Sequence, residues 1–192
     1  MIGRRVLALV LAVAVAGCGW RVRGPKRLEI PPGGRRVGDR VILVANDGGI
    51  VWGDGRLGEV VRTTLLASGV FGDVYFPVEP RNPPSLRLEV TARGTVEEDV
   101  AIGVAKSVLI GLLFFTPAGI IQFHKTFHLD ALAVLTDAER EVARVPVQSS
   151  TDVYFTLFSH VDGYDRAAQD AAFSDLGERV AAALRAQAIA AR

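Results

Sequence analysis

Residues 123–147 read FHKTFHLDALAVLTDAEREVARVPV, and this stretch decides the fold. Phe123, Phe127, Leu129, Ala131, Ala133 and Leu135 take alternate positions, with His124, Thr126, His128 and Asp130 between them. Successive side chains of a strand point to opposite faces, so this period of two predicts a half-buried strand. Thr136 to Glu139 then reads as a turn, and Val142 to Val147 as the returning hairpin partner.

Working outward, Leu86, Leu88, Val90 and Ala92 alternate with Arg87, Glu89, Thr91 and Arg93, which predicts a second half-buried strand. Upstream, Val41 to Ala45 is a short buried strand, ended by a turn at Asn46, Asp47, Gly48 and Gly49. Leu57, Val60, Val61, Thr64, Leu65 and Ser68 fall at helical spacing, with Asp54 as the expected N-cap and Gly69 as the stop. Val74 to Phe76 is a small strand, and the Asn82-Pro83-Pro84 run a loop. Beyond the hairpin, Val153 to Phe158 is a further apolar stretch. A long helix follows from about Asp165 to Ala190, with Phe173, Leu176, Val180, Ala183 and Leu184 as its apolar stripe. Asp165 and Asp170 near its start and Arg185 near its end suit the helix dipole. The order predicts an α+β fold: two helices packed on one face of a mostly antiparallel sheet, in a single domain over residues 41–192.

The N-terminus carries an address. Arg4 and Arg5 form a basic start, Val6 to Val15 is an unbroken apolar run too short to span comfortably, and Ala16-Gly17-Cys18 follows. This looks like the lipobox of bacterial lipoproteins: small residues before the cysteine admit the signal peptidase, and the Cys18 thiol accepts the lipid. Residues 1–17 are then the signal peptide and Cys18 the lipidated first residue of an exported protein, on the periplasmic face of the outer membrane. Gly19, rather than Asp, after the cysteine favours that membrane. Residues 18–40 hold Arg21, Arg23, Lys26, Arg27, Arg35, Arg36 and Arg40 among Pro25, Pro31, Pro32, Gly33 and Gly34. That composition predicts a basic tether, either simply solvated or with Arg21, Arg23, Lys26 and Arg27 on anionic headgroups.

Composition excludes several functions. Cys18 is the only cysteine of the 192 residues, so no disulfide or thiolate zinc site forms within one chain. The formal net charge is +1, and setting aside Arg4 and Arg5 brings it to about −1. No global field recruits nucleic acid.

The opening Cys18-Gly19-Trp20-Arg21-Val22-Arg23-Gly24 resembles the Cys-Gly-aromatic-x-Leu-Arg start of the LPS-assembly lipoprotein family, the LptE type. Val22 stands where the family has leucine. The resemblance implies an α/β sandwich with two helices, a lipoprotein that plugs an outer-membrane β-barrel, and lipopolysaccharide as ligand. An envelope complex or a phospholipid are the broader forms of the same expectation.

No constellation identifies a reaction, and no enzyme, cofactor or metal is expected. Gly53, Gly55 and Gly58 match G-x-G-x-x-G, but the strand ends some eight residues earlier and the later strands read as antiparallel. His124 and His128 share a strand face with Asp130, yet four residues along a strand span ~13 Å, too far for one ion. Ser159, His160 and Asp162 are triad residue types, too close in sequence to form a triad with each other. Glu97, Glu98 and Asp99 read as a solvated loop or strand end.

The apolar insertion, at about 101–122, carries more. The seventeen residues from Ser107 to Phe123 hold no charge, and Pro117 interrupts them with Gly111 and Gly119 nearby. Three readings stay open: core segment, membrane-dipping or partner-binding loop, and transmembrane helix. A span would separate the two flanking strands across the membrane. We therefore expect Leu109, Ile110, Leu112, Leu113, Phe114, Phe115, Ile120 and Ile121 to form the membrane or partner contact. The expected function is a non-enzymatic, lipid-anchored envelope module for outer-membrane or LPS assembly. A periplasmic auxiliary lipoprotein of a lipid or transport system is the alternative, and a hydrolase or metal-dependent enzyme the last.

Overall fold

The computed structural model describes residues 20–24, 36–50, 52, 55–113, 121–156, 159 and 161–190. They form strands β1 (Arg21–Arg23), β2 (Gly38–Ile50), β3 (Phe71–Tyr75), β4 (Leu86–Glu98), β5 (Phe123–Asp137) and β6 (Arg140–Phe155). The helices are α1 (Leu57–Ser68), α2 (Val100–Leu112) and α3 (Val161–Ala190). One six-stranded sheet runs β1-β6-β5-β4-β2-β3. The fold is α+β, and the sheet is mixed: β4, β5, β6 and β1 pair antiparallel, while β2 lies parallel to both β3 and β4.

The alternation of residues 123–135 holds: Phe127, Leu129, Ala131, Ala133 and Leu135 are buried. The hairpin closes on Ala138 and Glu139, both at positive φ (45° and 72°), the mirror-image turn whose twist matches a two-residue hairpin. The stretches Val142–Val147 and Val153–Phe155 belong to one sixteen-residue strand rather than two elements. Ser149 and Thr151 keep the inward positions between Val147 and Val153 and are buried there.

One turn expectation is corrected. Asn46 to Gly49 does not end β2; the strand runs through it to Ile50 with a register shift between Asn46 and Gly49. The Asn46 side chain accepts from Gly48 N at 3.2 Å, and a Cβ on Gly49 would meet the Ala92 carbonyl at 3.0 Å. The glycines therefore let a kinked strand approach β4, which is what a bulge requires. The tether also gives up three residues: Arg21–Arg23 pair with Asp152–Tyr154 at the sheet edge.

α1 and α3 cover one sheet face. Leu57, Val61 and Leu65 of α1 and Phe173, Leu176, Val180 and Leu184 of α3 share a core with Val41, Leu88, Val90, Leu129 and Leu135. The two helices run in the same direction, because contacts advance together along both: Arg56 with Asp170, Thr64 with Gly177, Ser68 with Arg185. Arg185 donates to the Ser68 carbonyl, satisfying an orphan acceptor at the end of α1. Gly69 closes α1 at φ 68°, as expected, but the residue preceding the helix is Arg56, without a side-chain cap bond; Asp54 lies outside the described residues. Trp52 joins the main core to a smaller cluster around Phe127, Val153, Tyr164 and Ala168. Its indole stacks on Phe173 at 5.6 Å and meets Phe127 edge-on at 5.2 Å.

Candidate functional site

The residues of interest gather at one end of the sheet. β1 enters there: Arg21 lies opposite Tyr154 on β6, and Tyr154 opposite His124 on β5. The insertion leaves β4 after Glu98 and returns at Phe123, with Glu98 opposite Lys125. Both flanking strands thus sit in one sheet, and the segment goes out and comes back at the same end. The hairpin turn at Ala138 and Glu139 marks the other end.

The insertion begins with α2, a helix that starts at Val100, ahead of the uncharged run from Ser107. Asp99 caps it, its carboxylate accepting from Ile102 N at 3.0 Å. The acidic run is accordingly three separate devices: Glu97 reaches His128 at 3.2 Å, Glu98 pairs with Lys125 at 2.5 Å, and Asp99 starts the helix. No helix among the described residues is long and apolar enough to cross a membrane.

α2 exposes Ile102, Val104, Val108, Leu109, Leu112 and Leu113, each between 48% and 71% accessible. At 100° per residue they sweep about half of the helix circumference. Lys106 donates to the Gln122 carbonyl at 2.5 Å, and Ile110 is 1% exposed. Ile110 is therefore removed from the expected contact set, because it lies one face away from Leu109 and Leu112 and is covered. Ile121 is half-buried. Phe114, Phe115 and Ile120 lie outside the described residues, as do Cys18, Lys26 and Arg27.

Between α2 and the sheet lies a groove of about 490 Å³, lined by Ile102, Val108, Phe123 and Phe155 with Lys106, Lys125 and His124 at its polar edge. Phe123 and Phe155 stack at 5.6 Å, and Phe155 stacks on Tyr164 at 4.5 Å. The Lys125 ammonium lies 5.5 Å from the Phe155 ring centre. Burial alone would pull the Lys125 pKa down, but its hydrogen bond to Glu98, helped by the charges of Tyr164 and Asp165, raises it above the usual lysine value. Burial likewise pushes Tyr164 above the usual phenol value.

Arg21 and Arg23 are exposed, and the Arg23 guanidinium lies 5.2 Å from the Tyr154 ring centre. His124 stacks on that ring from the next strand at 4.8 Å and reaches Asp152 at 3.1 Å. The two histidines thus have different carboxylate partners, Asp152 and Glu97, and among the described residues no three His, Cys, Asp or Glu could hold a metal. Ser159 is engaged locally, its hydroxyl accepting from Thr156 N at 2.9 Å; His160 lies outside the described residues. The glycine motif does lie in a parallel strand-helix-strand unit, β2-α1-β3, contrary to the expectation from sequence. Gly58 serves packing there, since a Cβ on it would fall 2.1 Å from the Phe76 ring; Gly53 lies outside the described residues.

No family model matches the chain, and no curated protein matches its sequence. Among solved structures it is similar to a minor lipoprotein from Acinetobacter baumannii, with 12% identity over 79% of this chain and 94% of that one and a TM-score of 0.46. It is also similar to a Xanthomonas campestris protein of family DUF330, at 14% identity over 84% and 94% with a TM-score of 0.45. Lipoprotein B from Nitrosomonas europaea gives 12% identity over 85% and 94% and a TM-score of 0.36.

Proposed function

We propose that this chain is a non-enzymatic, lipid-anchored module of the bacterial cell envelope, held at the periplasmic face of the outer membrane through Cys18. It acts by docking, through its α2 end, on a membrane or on an outer-membrane barrel partner, and LPS assembly is the most specific form of that role. The observation that supports this reading is the shared end: β1, three residues after Cys18, enters the sheet where the most apolar exposed surface leaves it. Lipidation makes such an anchor close to permanent, each buried methylene adding ~0.8 kcal/mol.

Fractionation of cells carrying Cys18→Ala tests the anchor. The variant is expected to accumulate as uncleaved precursor or to leave the outer-membrane fraction. If it matures and fractionates like the parent, the lipoprotein reading is wrong. Pull-down of the parent protein from native envelopes tests the partner, and co-purification of an outer-membrane barrel with lipopolysaccharide is the expected result for the LPS-assembly form.

A further inference from the structure

We infer that the surface covering the α2 end is the lipid bilayer itself, with the outward arc of α2 lying in the headgroup and upper acyl region of the leaflet that holds the anchor. This rests on the lipid-anchored reading above and names the occupant of its docking surface.

Chain length selects the bilayer over a protein. Arg21 is paired in β1, and Cys18 precedes it by three residues. An extended chain advances at most ~3.3–3.6 Å per residue, so the sheet end stays within about 10 Å of the lipidated residue. A single helix with its side chains is about 10–12 Å across. α2 leaves the sheet at this same end, so its start shares that short distance, and a partner domain has little room between the sheet end and the membrane.

The chemistry of the surface agrees. The exposed arc of α2 offers Leu109, Leu112 and Leu113 without a charge, with Val104 and Val108 on its groove side, and the helix's one charged residue, Lys106, is bonded to the Gln122 carbonyl. Thirteen residues are too few to span and enough to lie in the interface plane. At this end of the sheet Arg21, Arg23, Lys106 and Lys125 stand against Glu97, Glu98, Asp99 and Asp152, so fixed charge is balanced there and the apolar arc carries the contact.

The test uses the full, lipidated chain, in which Cys18 is blocked by its own lipid. A polarity-sensitive fluorophore is placed at Leu112→Cys, which is 71% exposed, and separately at Glu139→Cys in the far turn. In vesicles of phosphatidylethanolamine and phosphatidylglycerol, the label at 112 is expected to shift to the blue. Nitroxide lipids should quench it several-fold more than iodide does, with the reverse at 139. If both labels behave as water-exposed while the protein still floats with the vesicles, the bilayer contact is overturned and the anchor reading survives. A shift at 112 that appears only when native envelope proteins are present overturns the inference in favour of a protein partner. A chain that does not float overturns the anchor and the inference together.

Discussion

Gly177 of α3 lies so close to Thr64 of α1 that a methyl group on the glycine would sit 2.8 Å from the threonine Cβ. The threonine cannot easily turn away, because its hydroxyl is bonded to the Val60 carbonyl at 2.9 Å. Two parallel helices on one sheet face are therefore brought together by a missing side chain.

Gly177→Ala should accordingly destabilise the protein. Alanine improves helix propensity by ~1 kcal/mol, but overpacking a buried contact costs about 1–3 kcal/mol. The control is Gly111→Ala in α2, where a Cβ would meet nothing within 4 Å among the described residues. Urea unfolding should show a lower midpoint for the first and an unchanged or raised midpoint for the second. Identical midpoints would refute the helix contact.

Gly94→Ala is expected to disturb the aromatic junction, since its Cβ would lie 2.7 Å from the Trp52 indole nitrogen. Trp52 cannot retreat without losing Phe127 and Phe173, so a loss of about 1–3 kcal/mol should accompany a weaker near-ultraviolet dichroism signal. A variant with unchanged stability and spectrum would mean that Trp52 does not link the two clusters.

Replacing residues 100–121 by a short Gly/Ser turn between β4 and β5 should leave a cooperatively folding protein. Only Ile110 of the described residues of α2 is buried, and it belongs to neither core cluster. A melting temperature within a few degrees of the parent is expected, whereas aggregation or a collapse in melting temperature would identify the segment as core.

Alkaline pH should weaken the fold through Lys125 and Tyr164. Both hold their protons more tightly when folded than at their ordinary values of 10.5 and 10.0. The folded state therefore binds more protons than the unfolded one above about pH 10, and stability falls as pH rises through that range. Below it both groups are protonated in either state and contribute no slope. Tyr164→Phe should flatten the decline in denaturation midpoint measured between neutral pH and pH 11; an undiminished decline would assign it to other groups.

The sequence makes the antiparallel half of the molecule readable because each strand there buries one face and wets the other. β5 follows this rule from Phe127 to Leu135, and Leu88, Val90 and Ala92 follow it on β4. Legibility fails where the inward residues are polar: Ser149 and Thr151 hide the continuity of β6. It fails again for β1, whose three residues gain their strand from Asp152–Tyr154 far along the chain. α2 was missed because it is apolar on nearly every face, so no 3.6-residue pattern stands out, and its cap is lost in an acidic run. Exposure along the segment is half legible for the same reason. Composition marks the segment as needing an apolar surrounding, but only the helix phase separates covered Ile110 from exposed Leu109 and Leu112.

The shared direction of α1 and α3 has an electrical consequence. β2 runs parallel to β4 and delivers α1 from the end where β4 reaches Glu98; β6 delivers α3 from that same end after Phe155. Both helices therefore begin near α2 and run away from it. Each aligned stack of peptide dipoles behaves like about half a positive charge at its start, and here the two poles face the same way instead of cancelling, as they would in an antiparallel pair. Glu59 in the first turn of α1 and Asp165 and Asp170 near the start of α3 stand against these two positive poles, so the shared direction of the helices is met by acidic side chains at the end where both begin.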